Sequence, residues 1–475
     1  MQIEELNTSD YLKNIVTNLP EGPGCYQYLD ASGKIIYVGK AKNLKRRVSS
    51  YFNKEQKSAK TRVLVSKICD IKYVVVATEQ DALLLENNLI KKYRPRYNVL
   101  LKDDKTYPYI KVTLKETFPR VFITRRFVED GSKLKDPQIF DASGCYIMPG
   151  IIDTHVHFRD PGFPDKADFA SESRAALAGG VTSVIDMPNT NPQTTSLAEL
   201  EAKEQIAAQK SAVNYAFMIG ATNDNISQLL NIPTERYAAI KLFLGSSTGN
   251  MLVNRPEALD KLFKESRKLI VAHCEDESII QANLRNYRLE YAGTESETAS
   301  LHPKIRNTEA CFVSTYKAIE RSRKYGTHLH IAHVSTATEL SLFSNKELCE
   351  KNITAEVTPN HLWFDDRDYA ELGNLIKCNP AIKSNDDRLA LWSGLIDGTI
   401  DTIATDHAPH SLDSKMQRYF DAPGGIPSIQ HSLQMMLEGF FNPTAVEDGS
   451  HEEILQEWLP LIVAKMSHNP ATLFK

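Results

Sequence analysis

Cysteines are few in this sequence, and their arrangement does not indicate a disulfide framework. The 475 residues include seven cysteines, an odd number, and no two of them form a Cys-x-x-Cys pair. The sequence also lacks an apolar run of the roughly 20 residues that a membrane-spanning helix needs, and its first residues carry neither the basic nor the apolar stretch of a signal peptide. We therefore expect reduced thiols in a cytoplasmic protein that does not enter a membrane.

Histidine is missing from the first third of the chain, and the net charge changes sign at about the same place. All 13 histidines lie at or after His155. Residues 1–133 hold 25 basic and 15 acidic side chains, net +10, whereas the remaining residues hold 31 and 45, net −14. This change predicts two unrelated domains, residues 1–133 and residues 134–475. The polar stretch 129–137, which contains glycine and proline, is the expected linker.

The second domain alternates strand-like and helix-like segments. Apolar, strand-like runs cover residues 146–156, 181–187, 213–219, 238–244, 269–274, 329–334, 353–358 and 400–405. Stretches with helical spacing, such as 197–208 and 256–267, lie between most of these runs. The order predicts an α/β fold of the (β/α)8 barrel type, in which the chemistry takes place at the carboxyl ends of the strands.

Polar residues fall at the predicted carboxyl ends of these runs. His155 and His157 alternate with a valine, so both imidazoles point to one side of a strand and could share a divalent metal such as zinc. A single histidine at a strand end is more often a hydrogen-bonded core residue, and a single strand lysine usually extends its charged tip to solvent. Four further runs carry a polar residue at or near the same end, namely Lys241, His273, His333 and Asp406. Together these side chains predict a metal site.

Six motifs lie along these segments. They are DTHVHFRDPG at 153–162, DMPNT at 186–190, IKLFLGSSTGN at 240–250, AHCED at 272–276, HIAHVS at 330–335 and ATDHAPH at 404–410. In content and order they resemble the motifs of the dihydroorotases of the amidohydrolase superfamily. The resemblance implies two zinc ions bridged by a carbamylated lysine. One zinc would be bound by His155, His157, Lys241 and Asp406, and the other by Lys241, His273 and His333. A buried lysine is costly as an ammonium ion, whereas a carbamate offers two oxygens to two metals.

The resemblance also implies the substrate contacts and the reaction. The substrate carboxylate would be bound by Arg159, Asn189 and His410, and the remaining contacts would come from Asn379, Gly424 and Gly425. The implied reaction interconverts N-carbamoyl-L-aspartate and (S)-dihydroorotate, with Asp406 moving the proton. Without the three carboxylate-binding residues, the same metal core would suit a hydantoinase or an allantoinase. Most of the β-sandwich that usually flanks such a barrel has no counterpart in the sequence, so we expect the barrel face that it covers to be exposed.

The basic first domain carries a different set of motifs. It contains Pro-Gly-Cys-Tyr at 23–26, Tyr-Val-Gly at 37–39 and a basic stretch at 40–47. A tyrosine can activate water, an arginine can neutralise a phosphate and a glutamate can bind Mg²⁺ or Mn²⁺, although a basic α/β domain with ordinary surface charge has a similar composition. The motifs resemble the N-terminal GIY-YIG domain of the UvrC family of excinucleases, over about residues 10–130. By position, that family's active site corresponds to Tyr26, Tyr37, Lys40, Arg47, Tyr51 and Glu86, with the glutamate as metal ligand.

Two classes of function are consistent with this organisation. The first is a zinc-dependent cyclic amide hydrolase, acting on a small molecule, with an appended nuclease-like domain. The second is a DNA-repair module whose barrel is a passive passenger. Every expected barrel ligand is present, which favours the enzyme, and the basic domain would attract DNA in either case. No physical reason links the two parts, which indicates a fused or rearranged reading frame, and the sequence is compatible with a homo-oligomer.

Overall fold

The computed structural model describes residues 11–52, 64–76, 78–93, 95, 97, 109–112, 121–124, 146–245, 251–441 and 458–474. The chain divides into two units, Met1–Ile139 and Phe140–Lys475. The expected linker at 129–137 lies outside the described residues, as does the end of the expected motif at 246–250. No helix in the described parts of the chain is both long enough and apolar enough to cross a membrane.

A three-stranded antiparallel sheet organises the first unit. Strand β1 (Gly24–Leu29) lies between β2 (Ile35–Ala41) and β3 (Asp70–Val75). The unit also contains helices at 11–17, Leu44–Phe52 and Glu79–Tyr93, of which Leu44–Phe52 is the basic helix. A separate antiparallel pair consists of β4 (Tyr109–Val112) and β5 (Val121–Thr124). Two tyrosine-bearing strands are thus followed by the basic helix and then by the helix that carries Glu86.

The strands β1 and β2 contribute to two separate cores. Because successive strand residues point to opposite faces of a sheet, Tyr26 packs with Leu44 and Val48 of the basic helix, whereas Cys25 packs against Ile90 of the later helix. Alternate residues of these strands therefore face different helices. The tyrosines face the side of the sheet that carries the basic helix.

A closed barrel of parallel strands forms the second unit. Its strands are β6 (Ile151–Val156), β7 (Val181–Asp186), β8 (Asn214–Phe217), β9 (Ile219–Gly220), β10 (Ile240–Phe243), β11 (Ile270–His273), β12 (Leu329–Ile331), β13 (Ile353–Val357) and β14 (Thr402–Ile403). Within the described residues, β8 and β9 share one strand position, so the ring has eight positions in sequence order. The backbone N–H of His157 donates to the carbonyl of His407 at 2.8 Å and closes the ring. The predicted (β/α)8 fold is confirmed.

Helices connect the strands and cover the outside of the barrel. The longer ones are Phe169–Ala178, Leu197–Lys210, Pro256–Glu265, Glu277–Tyr291, Thr308–Tyr325, Asn385–Ile396 and Ser432–Phe441. Short helices are Ile226–Leu229, His302–Ile305, Ala337–Leu340, Pro359–Trp363, Tyr369–Leu372, Leu412–Lys415 and Asn469–Leu473, and a π-helical turn covers Ala464–His468. Several begin with a side-chain cap, as where Asp168, Ser196 and Asp276 each accept a hydrogen bond from a first-turn N–H. Such caps satisfy backbone donors that have no partner within the helix.

The strand sequences explain where the polar residues lie. A parallel barrel strand is covered on both sides, by the barrel interior and by the helices, so its residues form a continuous apolar run. All four residues of β10 and of β11 are buried. The polar exceptions collect where strands end, with His155 near the end of β6, His273 at the end of β11 and Asp406 shortly after β14. This is the end at which barrel enzymes carry their active sites.

Candidate functional site

Three side chains converge at the carboxyl ends of β6 and β14. His155, His157 and Asp406 each offer one ligand atom, and these atoms lie within 4.8 Å of one another. The Oδ1 atom of Asp406 is 3.3 Å from His155 Nε2 and 3.0 Å from His157 Nε2. Both histidines are buried. Two imidazole nitrogens and one carboxylate oxygen at this spacing form a donor set that suits zinc.

The other ring nitrogen of each of these histidines is held by a hydrogen-bond acceptor. His155 Nδ1 donates to Glu356 Oε1 at 2.7 Å, and His157 Nδ1 donates to Asn189 Oδ1 at 2.8 Å. A ring nitrogen that donates carries the proton, so the lone pair of each neutral imidazole is on Nε2. The Nε2 atoms are the ones that face Asp406. The local hydrogen bonds thus prepare both histidines to bind a metal.

A second pair of histidines lies beside the first. His273 Nδ1 and His333 Nε2 are 2.9 Å apart, and the ring centres of His333 and His155 are 5.3 Å apart. His273 donates its Nε2 proton to Glu275 at 2.9 Å, which leaves the Nδ1 lone pair facing His333. The Nδ1 atom of His333 is buried and has no hydrogen-bond partner among the described residues. Two imidazole nitrogens that face each other this closely fit a shared metal ion.

Lys241 reaches the same group of side chains from β10. Its Nζ atom is 3.5 Å from His155 Nε2, and the residue is 0% exposed. No carboxylate in the described parts of the chain forms an ion pair with it, in contrast to the buried Lys203, whose Nζ lies 2.5 Å from Asp186. Burial lowers the pKa of Lys241 to about 8, because a buried ammonium ion loses its hydration. The structure therefore places an amine of reduced basicity among the candidate ligands.

Strained backbone is concentrated at this site. Arg159, His333 and Asp406 have φ angles of 66°, 38° and 48°. Left-handed backbone at a residue other than glycine costs about 1–3 kcal/mol and persists where the surrounding structure fixes it. Among the described residues, no other non-glycine residue has a positive φ. All three belong to the set of site residues that the sequence predicts.

Burial and close charges determine the protonation of the cluster. Burial lowers the pKa of His157 to about 4 and also lowers the pKa of His273. Burial alone would raise the pKa of Asp406, but the adjacent His155 and His157 outweigh this effect and hold it well below its usual value. At neutral pH His157 and His273 are therefore neutral and Asp406 is ionised, which are the forms that bind metals.

Arg159 is a buried cation next to this cluster. The residue is 5% exposed, its Nε donates to the carbonyl of Pro409 at 3.2 Å, and its Nη2 lies 3.2 Å from His410 Nε2. No carboxylate among the described residues forms an ion pair with it, and the Nδ1 atom of His410 is buried without a partner. A charge is costly to bury unless an opposite charge accompanies it. The pair of side chains is a candidate binding site for a carboxylate.

Asn379, Gly424 and Gly425 form the adjoining wall. His410 Nε2 is 3.1 Å from the carbonyl oxygen of Gly424, and the N–H of Gly425 donates to the carbonyl of Lys377 at 2.8 Å. A Cβ atom at position 424 would lie 3.1 Å from Asn379 Nδ2, and one at position 425 would lie 2.9 Å from His410 Cδ2. Gly425 also has a φ of 146°, so a side chain there would be strained as well as crowded. These contacts join the wall to Arg159 through His410.

The structure brings the expected barrel residues together, and it adds three that the sequence alone did not identify. Glu356 is 1% exposed within the apolar strand β13, and an acidic residue inside an apolar run was its only sequence signal. Glu275 falls in the expected motif at 272–276, where the resemblance gives it no role. His302 Nε2 donates to Asn379 Oδ1 at 3.1 Å, and nothing in its local sequence indicated this contact.

In the first unit, the expected tyrosines meet in one cluster. The hydroxyl oxygens of Tyr26 and Tyr37 lie 3.2 and 3.3 Å from that of Tyr51, and the guanidinium of Arg47 lies 5.5 Å from the centre of the Tyr51 ring. Burial raises the pKa of Tyr26 and of Tyr37 well above the usual tyrosine value. Both hydroxyls are therefore protonated at neutral pH and can donate hydrogen bonds to an anion.

Glu86, on the helix Glu79–Tyr93, reaches the end of β2 with its side chain. Its Oε1 accepts a hydrogen bond from the backbone N–H of Lys40 at 3.0 Å. Burial raises the pKa of Glu86, and Lys40 and Arg47 act in the opposite direction. Gly39 lies against the Tyr26 ring, where a Cβ atom would collide with it. The short glycine thus allows Tyr26 to occupy its place beside the other tyrosines.

Comparison with known proteins identifies the second unit. The Amidohydrolase family matches residues 146–471. The chain belongs to this family of hydrolases. A dihydroorotase from Latilactobacillus sakei subsp. sakei is 34% identical over 342 residues, which cover 71% of this chain and 74% of that protein. Among solved structures, the L-hydantoinase (dihydropyrimidinase) from Arthrobacter aurescens aligns with a TM-score of 0.66 at 24% identity, covering 76% of this chain and 77% of that chain. This structural likeness shows the barrel fold.

The first unit has relatives of its own. The UvrC-like GIY-YIG domain matches residues 22–99. The UvrABC system protein C of Bacteroides fragilis is 72% identical over 154 residues, which cover 32% of this chain and 24% of that protein. The chain thus spans less than a third of the length of that relative. The expected organisation, a GIY-YIG domain followed by an amidohydrolase barrel, is confirmed.

Proposed function

We propose that the second unit is a zinc-dependent dihydroorotase that interconverts N-carbamoyl-L-aspartate and (S)-dihydroorotate in pyrimidine biosynthesis. The observation that carries this proposal is Arg159, a buried guanidinium beside the histidine cluster that has no carboxylate partner among the described residues. A guanidinium fork fits a carboxylate through two parallel hydrogen bonds. Dihydroorotate carries such a carboxylate, whereas unsubstituted hydantoin does not. The relatedness to a dihydroorotase supports the same choice.

The donor set fits two divalent metal ions. One would be held by His155, His157 and Asp406, the other by His273 and His333, and carbamylated Lys241 would contribute oxygens to both. The fit rests on the hydrogen bonds that leave an unprotonated nitrogen of His155, His157 and His273 facing the cluster. Bound zinc would supply Lewis acidity, which lowers the pKa of water and polarises a carbonyl group.

The remaining chemistry falls to side chains of the chain itself. In hydrolysis, a water oxygen bonds to the ring amide carbon, the carbon–nitrogen bond breaks, and the ring nitrogen gains a proton. Asp406, which is ionised between His155 and His157, would take the proton from the water and deliver it to the nitrogen. Cyclisation is the reverse, in which the ureido nitrogen bonds to the side-chain carboxyl carbon and water leaves.

The substrate would be oriented by the wall that adjoins the metal cluster. Arg159 and His410 would bind its carboxylate. Asn189 accepts a hydrogen bond from His157 through its oxygen, so its NH2 group is the part that would donate to the same carboxylate. Asn379 and the backbone of the two adjacent glycines, Gly424 and Gly425, would contact the ring.

Replacing Arg159 with methionine tests the substrate assignment. The variant removes a charge-assisted contact worth about 2 kcal/mol, so KM for dihydroorotate should rise about thirtyfold. Turnover of hydantoin, which lacks the carboxylate, should change much less. Lys166→Met is a matched control, because it also removes a nearby positive charge. The Nζ atom of Lys166 lies 4.8 Å from the centre of the Phe163 ring, and Lys166 does not belong to the proposed carboxylate site. Equal losses for both substrates in the Arg159 variant would favour a hydantoinase instead.

We propose further that the first unit binds DNA and that its tyrosine cluster is a phosphodiester-cleaving site. Arg47 would neutralise a phosphate, the protonated hydroxyls of Tyr26 and Tyr37 would donate hydrogen bonds to it, and Glu86 would bind Mg²⁺ or Mn²⁺. The support for this proposal is the convergence of these groups with Lys40 at one end of β2. The match of residues 22–99 to the UvrC-like GIY-YIG domain supports the same interpretation.

DNA binding by the full chain should depend strongly on salt. Residues 1–133 carry a net charge of +10, and neutralised phosphates release counterions, so affinity should fall at least about a hundredfold between 50 and 200 mM salt. Any cleavage should need a divalent metal and should disappear in Glu86→Ala, while Glu21→Ala, which removes an exposed acid of the same unit, should leave it intact. Binding that does not respond to salt would remove the DNA proposal, and cleavage that survives Glu86→Ala would place the site elsewhere.

A further inference from the structure

Glu356 contacts both histidine pairs of the barrel. Its carboxylate is 1% exposed, and its Oε1 accepts hydrogen bonds from His155 Nδ1 at 2.7 Å and from the backbone N–H of His333 at 3.2 Å. Its Oε2 accepts from the hydroxyl of Thr154 at 3.3 Å. One buried carboxylate therefore holds the side chain of a residue in one pair and the backbone of a residue in the other.

Each of these two contacts has a physical consequence for metal binding. The bond to His155 keeps the proton on Nδ1 and increases the electron density at Nε2, so that nitrogen becomes a better ligand. The bond to His333 reaches a residue with a φ of 38°, a conformation that needs support from its surroundings. Loss of the carboxylate would weaken one ligand electronically and release the backbone of another.

Glu275 provides an internal comparison. It accepts from His273 Nε2 at 2.9 Å, so it holds a histidine in the same way. However, Glu275 also forms a buried ion pair with Arg306, whereas the described residues offer Glu356 no lysine or arginine within ion-pair distance. Among the described residues, the imidazole of His330 also lies near this carboxylate, with its Nε2 atom 3.6 Å from Glu356 Oε2. A carboxylate that is already neutralised by arginine adds less negative potential at its histidine.

We infer that Glu356 is a positioning residue that determines the metal affinity of the barrel site, and that it does so more strongly than Glu275. The inference rests on the proposed function only in requiring that the site binds metal, and it is independent of the identity of the substrate. Glu356 does not itself belong to the proposed ligand set.

Two matched substitutions in the full chain test this inference. Glu356→Gln and Glu275→Gln each remove one negative charge and keep an oxygen that can accept the hydrogen bond from the histidine N–H. Zinc affinity, measured by competition with a chromophoric chelator, should fall about 10–100-fold in Glu356→Gln and by a smaller factor in Glu275→Gln. The absorption spectrum of the Co²⁺-loaded chain should shift in Glu356→Gln, because the electron donation of a ligand has changed.

The possible results separate this inference from the proposal for the whole site. A parent chain that binds zinc, together with a Glu356→Gln variant of unchanged affinity, or one no weaker than Glu275→Gln, would overturn the inference and leave the metal site standing. A parent chain that binds no zinc would reject both. If Glu356→Gln fails to fold, as judged by circular dichroism, Glu356→Asp keeps the charge but shortens the reach to His155. That variant should also bind zinc more weakly, and an affinity equal to the parent's would overturn the inference.

Discussion

A chain in which His155 and His157 are both replaced by alanine should lose zinc and nearly all hydrolase activity. The two imidazoles supply two of the three ligand atoms that lie within 4.8 Å of one another, so Asp406 alone would remain in that group. Bound metal is expected to contribute at least about 4 kcal/mol to transition-state stabilisation, so the rate should fall at least about a thousandfold. Metal analysis of the purified chain should show about two zinc ions in the parent and a clear deficit in the variant.

A control with the same number of histidines removed makes this result specific. His328 and His431 are exposed and lie outside the cluster, so His328→Ala/His431→Ala should retain the parent's zinc content and activity. Thermal unfolding of both variants in the presence of chelator would show whether the first one has also lost its fold. Unchanged zinc in His155→Ala/His157→Ala would mean that this cluster is not the metal site.

The position of the barrel site was predictable because strand order and strand ends are local properties. Apolar runs marked the eight strand positions, and parallel strands in a barrel place their carboxyl ends together. The extent of each strand was less predictable, because it depends on the partner. The apolar run at 146–156 forms a strand only from Ile151, the residue that pairs with Val181 at the start of β7. The residues before it have no such partner in the described sheet, and Ile147 is 73% exposed.

Contacts between distant parts of the chain could not be predicted from patterns in the sequence. Glu356 and His155 are 201 residues apart, and only the closed barrel brings their side chains to 2.7 Å. The same holds for the adjoining wall, because no local pattern in the sequence predicts the contact between His302 and Asn379. The proposed roles of Asn379 and the two glycines came from the family resemblance, and the structure adds that they adjoin His410.

Lys241→Ala should have an effect nearly as large as that of the histidine double variant. The lysine is 0% exposed, and no carboxylate in the described parts of the chain pairs with it, so a permanent ammonium ion here would be costly. Reaction with carbon dioxide removes this cost, since the Nζ atom bonds to the carbon, one N–H proton leaves, and the resulting carbamate has two oxygens for divalent metal ions. We therefore expect Lys241→Ala to bind less zinc and to lose about a thousandfold in rate.

Rescue experiments distinguish the carbamate from a merely structural lysine. Acetate or propionate could enter the space left by Lys241→Ala and replace the missing oxygens, so either acid should restore part of the activity and of the zinc content. Lys203→Ala is the matched control, since Lys203 is also 0% exposed but its Nζ lies 2.5 Å from Asp186. That variant should lower the melting temperature because it leaves the buried Asp186 without its ion-pair partner, and short acids should change neither its zinc content nor its activity. Full activity with both metals in Lys241→Ala would show that the carbamate proposal is wrong, because the site would then assemble without the bridging oxygens.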